Sequence, residues 1–168
     1  MEIHSSVTPE LVHMQEEMQR VIELADGQGG VETVRLLERL FFRRVEERLK
    51  RVEGGVGINF PDDGATIPLP NGSYLVVSVD AYTVNPPFFP GGNIGSLAAH
   101  GSINDVVMMG GKPIGMLDAI VVEEGFPLEK LEDIVDSFLS VLRGEGIPLI
   151  GGDFKVMPRG QLDKITIT

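Results

Sequence analysis

Hydrophobic positions recur at helical intervals over the first third of the chain and gather into short apolar runs over the rest. Thr8 followed by Pro9 reads as an N-cap with proline at the first helical position, and Leu11, Met14, Met18 and Val21 form the stripe of a helix ending near Asp26. The turn Asp26-Gly27-Gln28-Gly29-Gly30 breaks that helix. It opens onto a second one, with Val34, Leu37, Phe41, Val45, Leu49 and Val52 on one face. From Gly54 the period changes. The runs 65–69, 74–79, 114–122, 147–150 and 165–168, rich in Val and Ile and separated by Gly and Pro, predict strands. Two helical patterns lie among them, Ile94 to about Met109 and Pro127 to Leu142, the second stopped by Gly144. Alternating strands and helices make an α/β or α+β domain over 54–168, preceded by a helical segment over 1–53. The last run stops on Thr168 inside an apparent strand, which predicts that the chain is part of a longer one.

Composition narrows the class. A chain of 168 residues with 42% hydrophobic content can bury one core. Its 25 acidic against 14 basic residues give a net charge of -11, which disfavours nucleic acid as a partner. Seven of the basic residues (Arg35, Arg39, Arg43, Arg44, Arg48, Lys50, Arg51) fall in the second helix among Glu38, Glu46 and Glu47, the pattern of a solvated, salt-bridged face. There is no cysteine, hence no disulfide and no thiol nucleophile, as suits a reducing compartment. No window approaches the roughly 18 apolar residues of a membrane span, so a cytoplasmic location is expected.

The candidate chemistry is acidic and glycine-rich. Asp62-Asp63, Asp80, Asn104-Asp105 and Asp153 each sit at an element boundary or beside glycine. Taken singly, each is as readily a turn former or helix cap. Taken together they mark the rim on which α/β folds place ligands. Two carboxylates about 4 Å apart repel by roughly 4 kcal/mol at an effective dielectric near 20, so a convergent set requires a cation. Oxygen ligands without histidine or thiolate suit magnesium, which is held by one or two carboxylates plus substrate phosphates. Gly29-Gly30 and Gly91-Gly92 both precede helices and could cradle phosphate, and Gly151-Gly152-Asp153 reads as a further glycine turn. Neither a P-loop nor a Gly-x-Gly-x-x-Gly fingerprint is present. Lys155, Lys112 and Arg159 are the cations near these turns. His100, within an apolar helix pattern, is expected to be packed, and Pro86-Pro87-Phe88-Phe89-Pro90 reads as packing or as cover for a partner surface.

The order of these segments resembles the N-terminal domain of the hydrogenase maturation factor HypE, within the PurM-like (aminoimidazole-ribonucleotide synthetase) superfamily. The resemblance rests on residues 26–30, 61–65 (Pro-Asp-Asp-Gly-Ala), 78–81, 88–95 (Phe-Phe-Pro-Gly-Gly-Asn-Ile-Gly), 102–110, 123–128 (Glu-Glu-Gly-Phe-Pro-Leu) and 151–156. It implies a mixed four-stranded sheet with helices on one face, pairing in a homodimer to close a β-barrel. It also implies ATP and Mg2+ as cofactors. Asp62, Asp63, Asp80, Asp105 and Asp153 then match the metal environment. The nucleotide environment is matched by Asp26, Gly27, Gly29, Gly30, Asp63, Asp80, Gly91, Gly92, Asn104, Gly151, Gly152 and Lys155, with 26–30 as a mobile phosphate-covering loop and Lys155 as the candidate catalytic residue. Members of the family dehydrate a carbamoyl group carried on a C-terminal cysteine to a thiocyanate, the source of cyanide for nickel-iron hydrogenase, with HypF, HypC and HypD as partners.

Gln28 stands where the family has a small residue, and Gly64 where the Asp-Asp turn continues with alanine. The family's C-terminal domain and its cysteine are absent from these 168 residues, so this chain alone is expected to be inactive. Two other readings compete: another ATP-dependent member of the superfamily, similar to thiamine-monophosphate kinase, selenophosphate synthetase or aminoimidazole-ribonucleotide synthetase, or a dimerising module without catalysis.

Overall fold

The computed structural model describes residues 20–168, and the chain divides into two compact units between Glu46 and Glu47 rather than after residue 53. The helix expected from Thr8 onward lies outside the described residues, apart from its end, where Leu24–Gly27 forms a 3-10 turn. In the first unit α1 (Val31–Leu37) passes into a single π segment, Glu38–Phe42, and stops. The single helix expected from Val34 to Val52 is therefore not formed. Its stripe finds no surface to cover: Val34, Phe41, Leu49 and Val52 are 50–60% exposed, and a helix whose apolar face stays in water lacks the main source of helical stability in proteins. The charged face forms the ion pairs its pattern suggests, Arg43 with Glu38 at 3.1 Å and, in the second unit, Lys50 with Glu47 at 2.5 Å.

Residues 47–56 belong with the second unit because they pack on its first strand. The Val56 N–H donates to Thr66 Oγ1 at 2.8 Å, and a Cβ on buried Gly55 would collide with the Thr66 carbonyl. That strand, β1 (Ala65–Pro68), pairs antiparallel with β2 (Tyr74–Val77). A short hairpin follows, β3 (Phe88–Phe89) with β4 (Gly92–Asn93), turning at Gly91 with φ +95. Next come α2 (Ile94–Met108), β5 (Met116–Glu123), α3 (Leu128–Glu145), β6 (Leu149–Met157) and β7 (Ile165–Ile167). The mixed sheet has the order β6-β5-β7, parallel between β5 and β6 and antiparallel between β5 and β7.

The four-stranded sheet is thus three-stranded among the described residues, beside two separate two-stranded ladders. The chain does run along the free side of β7, but it pairs there at one residue, Tyr82 with Ile167. Pro86 and Pro87 follow within five residues, and proline neither donates to a ladder nor adopts strand φ freely, so the fourth strand ends as a single bridge.

The core lies between the two long helices and one sheet face: Ile94, Ala98 and Ala99 of α2, Ile134, Phe138 and Leu142 of α3, Val122 of β5, and Ile165 and Ile167 of β7. Helix α3 ends beyond the expected Gly144. Gly146 takes the left-handed conformation (φ 68), its N–H reaches Arg143 O, and the N–H of Ile147 donates to Leu142 O at 2.9 Å, burying Ile147 against the helix it terminates.

Candidate functional site

The acidic residues are distributed over four places. The Asp62-Asp63 turn enters β1, with Asp62 Oδ1 accepting from the Asp63 N–H at 3.0 Å. It is fixed by close packing, since a Cβ on Gly64 would stand 2.9 Å from the Val77 carbonyl and 3.3 Å from Met109 Cγ. An alanine there requires that β2 and the end of α2 stand slightly farther off. Ser78 to Asp80 leave β2 alongside, and the Ser78 hydroxyl donates to Asp105 Oδ2 on α2 at 2.7 Å. The turn, the strand exit and the last turns of α2 therefore meet.

Tyr82 lies beside Asp80 and Asp105. Its ring lies on Gly101 so closely that any Cβ there would overlap the hydroxyl. The hydroxyl is buried without a hydrogen-bond partner, and Ser102 and Asp80 flank it without closing one. Burial, with the charges of Asp80 and Asp105 adding to it, pushes the Tyr82 phenol up to about 12. An uncharged donor held beside two carboxylates can orient one of them, and only the folded chain shows it. Asn104 is exposed on the same turn of α2.

Asp153 does not join this group. Gly151-Gly152 is no turn: both glycines and Asp153 lie inside β6, in register with Leu117, Asp118 and Ala119 of β5. Glycine is required there because β5 side chains occupy the space, the Asp118 carboxylate over Gly152 and Leu117 Cδ2 3.2 Å from where a Cβ of Gly151 would be. Side chains in a strand alternate between faces, so Asp153 and Lys155 share one face and Gly152 lies on the other with Asp118. No three acidic or histidine side chains among the described residues are close enough to hold a metal ion together.

The glycine turns are also occupied from within. Gly92 precedes Asn93, whose Oδ1 accepts from the N–H groups of Gly95 (2.9 Å) and Ser96 (3.2 Å), while its Nδ2 donates to Ser137 Oγ at 2.7 Å. A phosphate at this helix end has to displace that cap. In the first unit Asp26 is buried, accepting from the Glu23 N–H at 2.9 Å and from Arg20; the hydrogen bond from Glu23, helped by Arg20, holds its carboxyl below the usual aspartate value. Gly29 (φ +78) donates to Thr33 Oγ1 at 3.0 Å, and Gly30 caps α1 without a side chain. His100, expected to be packed, is exposed on α2.

Sequence reasoning passed over Asp118. A lone aspartate inside the apolar run 116–122 is the signal that marks it. Its carboxylate faces Ile120, Ile134, Val135 and Phe138, and burial raises its pKa, partly offset by its own backbone N–H. A carboxyl whose folded pKa is raised destabilises the fold once it ionises, and the loss is relieved as pH falls through that raised value. Asp118→Asn is therefore expected to raise Tm at neutral pH, with the difference from wild type shrinking on acidification in a melting series. A pH-independent difference removes burial as the cause.

Known proteins resemble this chain in sequence and in fold. Residues 61–168 match the family model "AIR synthase related protein, N-terminal domain". The carbamoyl dehydratase HypE of Cupriavidus necator is 40% identical over 147 residues, 88% of this chain and 40% of that protein, so the chain spans well under half its relative's length. The structure of a HypE-HypF complex superposes with a TM-score of 0.65 at 34% identity, covering 82% of this chain and 40% of the solved one. A HypE solved in complex with ATP gives 0.52 at 35% identity, covering 88% and 41%. The chain belongs to the AIR synthase related protein family through its N-terminal domain, and within that family it is similar to the hydrogenase maturation protein HypE.

Proposed function

We propose that the chain is the ATP- and magnesium-binding part of a HypE-like hydrogenase maturation protein. The observation that carries this reading is the meeting of the Asp62-Asp63 turn, Asp80 and Asp105, on segments similar in sequence to a protein solved with ATP. The donor set fits the group: carboxylate oxygens, with fewer than three converging among the described residues, suit a magnesium ion that takes its remaining ligands from phosphate and water. Magnesium would neutralise phosphate charge. Asp80 and Asp105 would hold the ion, with Asp62 and Asp63 reaching it through water, while Asp153, inside β6, would not join them. Tyr82 would orient Asp80, Asn104 would bind nucleotide beside it, and Lys155 would supply a charge to phosphate.

In the full reaction ATP activates a carbamoyl group on a thiol, which loses water to become a thiocyanate. No cysteine occurs in these 168 residues, so that thiol belongs to another part of the protein or to a partner. HypF, seen with HypE in a solved complex, is the partner proposed first, then HypC and HypD. A homodimer is proposed on the apolar edge of the sheet. Strand β6 has a neighbour on one side only, and Ile150, Phe154 and Val156 are 53–67% exposed along it. A monomer mass in sedimentation equilibrium excludes that dimer. No helix among the described residues is long and apolar enough to cross a membrane.

Calorimetry of ATP with and without magnesium tests the central claim. Magnesium-dependent heat at millimolar ATP is expected, and its absence with the fold intact leaves only a non-catalytic module.

A further inference from the structure

Strands β5 and β6 run parallel and reach the same rim of the sheet, at Glu123 and Met157. The carboxyl ends of parallel strands are where open α/β sheets bind ligands. A cleft of 560 Å3 lies there, between the turn after β5, the proline-rich segment before β3 and the loop after β6. That volume falls in the range of small-molecule sites. None of its lining residues belongs to the Asp62-Asp63 turn, the exit of β2 or α2, so it is a place apart from the nucleotide site proposed above.

Its lining combines apolar side chains with two cations that have no partner among the described residues. Pro87, Phe88 and Phe126 face the cleft together with Lys130 and Arg159, and neither cation has a hydrogen-bond or ion-pair partner among the described residues. The Arg159 guanidinium lies against the turn at Gly125 (φ +89), where a Cβ would stand 2.5 Å from Nη2. In a chain of net charge -11, two unpaired cations in a cleft also lined by Phe88 and Phe126 are a departure from the surface average.

The other ionic groups of the rim are already engaged. Lys164 donates to Asn85 Oδ1 at 2.9 Å and Asp163 Oδ1 at 3.0 Å, and Asn85 Nδ2 donates to Asp163 Oδ2 at 3.0 Å. This clasp joins segments nearly eighty positions apart and holds Lys164 at φ 67, a left-handed conformation that a lysine adopts only under such constraint. Glu123 Oε1 accepts from the Gly160 N–H at 2.5 Å. Glu124 remains as the one unengaged acid, so the cleft suits a single negative charge better than a polyphosphate.

We propose that this cleft binds a small organic monoanion, its carboxylate between Lys130 and Arg159 and a planar apolar body against Phe88 and Phe126. Arginine offers a carboxylate two parallel donors, and aromatic walls supply most of the contact area.

Benzoate is the probe, titrated into the 168-residue chain and followed by NMR of the Arg159 side chain and the phenylalanine rings, with benzyl alcohol as its neutral counterpart and inorganic phosphate as the compact anion. Saturable shifts with benzoate, weaker ones with the other two, and a roughly ten-fold loss of benzoate affinity in Arg159→Ala and in Lys130→Ala support the site. The proposal is overturned by the absence of saturable benzoate shifts, by equal binding of benzyl alcohol, or by affinity unchanged in both variants while their amide spectra remain those of the folded chain. Each outcome leaves magnesium-dependent ATP binding to be judged separately.

Discussion

Ile134→Ala is expected to lower the stability of the second unit by about 3–5 kcal/mol, the upper part of the range for emptying a buried isoleucine site. Ile134 is fully buried at the seam of α2 and α3, among Ile94, Ala98 and Phe138. Collapse cannot refill the space, because the helices already touch: a Cβ on Gly95 of α2 would overlap the Ile134 carbonyl of α3. That contact and the Asn93 to Ser137 hydrogen bond fix the spacing of the two helices. Domains of this size are stable by roughly 5–15 kcal/mol, so the variant loses a large share of the total. Chemical denaturation is the measurement. A loss under about 1 kcal/mol means that the helices do close over the cavity, and the seam is softer than Gly95 implies.

Asp80→Asn is expected to cost Mg-ATP roughly ten- to a hundred-fold in affinity while leaving the melting temperature almost unchanged. Asp80 is exposed, and its one hydrogen bond in the chain is local, Oδ1 accepting from the Ala81 N–H at 2.9 Å. Asp80 takes part in no ion pair among the described residues, and its charge touches only the Tyr82 phenol, so an intact melting temperature beside a binding loss assigns the loss to the ligand. Asparagine keeps the shape and removes the charge that a magnesium ion needs. Calorimetry across a magnesium series separates the possibilities: lost magnesium dependence with residual ATP binding assigns Asp80 to the metal, and unchanged affinity removes it from the site. Asp105→Asn is a less clean variant, because Asp105 also accepts from Ser78 and holds the exit of β2 against α2.

The two long helices, five of the strands and the acidic turn were legible in the sequence because each is written in local terms: apolar period, proline and glycine punctuation, caps. Misreadings fall where a local signal had two meanings. Gly151-Gly152 looked like a turn; it is strand interior because β5 places Asp118 and Leu117 over it. The stripe from Val34 to Val52 looked like a helix, and it breaks after Phe42 with its apolar side chains in water. Gly91-Gly92 looked like a phosphate cradle, and the donors of the following helix are taken by Asn93.

Patterns along the chain were enough for the family, for the order of the five longer strands and the two long helices, and for the residue types available to a metal and a nucleotide. Which acids meet depends on the tertiary packing. It joined Asp105 to Ser78 and set Tyr82 beside Asp80, contacts spanning up to 27 positions, while it kept Asp153 on a different strand and left Asp118 in an apolar setting. The reason is geometric. Register and helix packing set the distance between side chains far apart in sequence, and carboxylates share a cation only over a few ångströms.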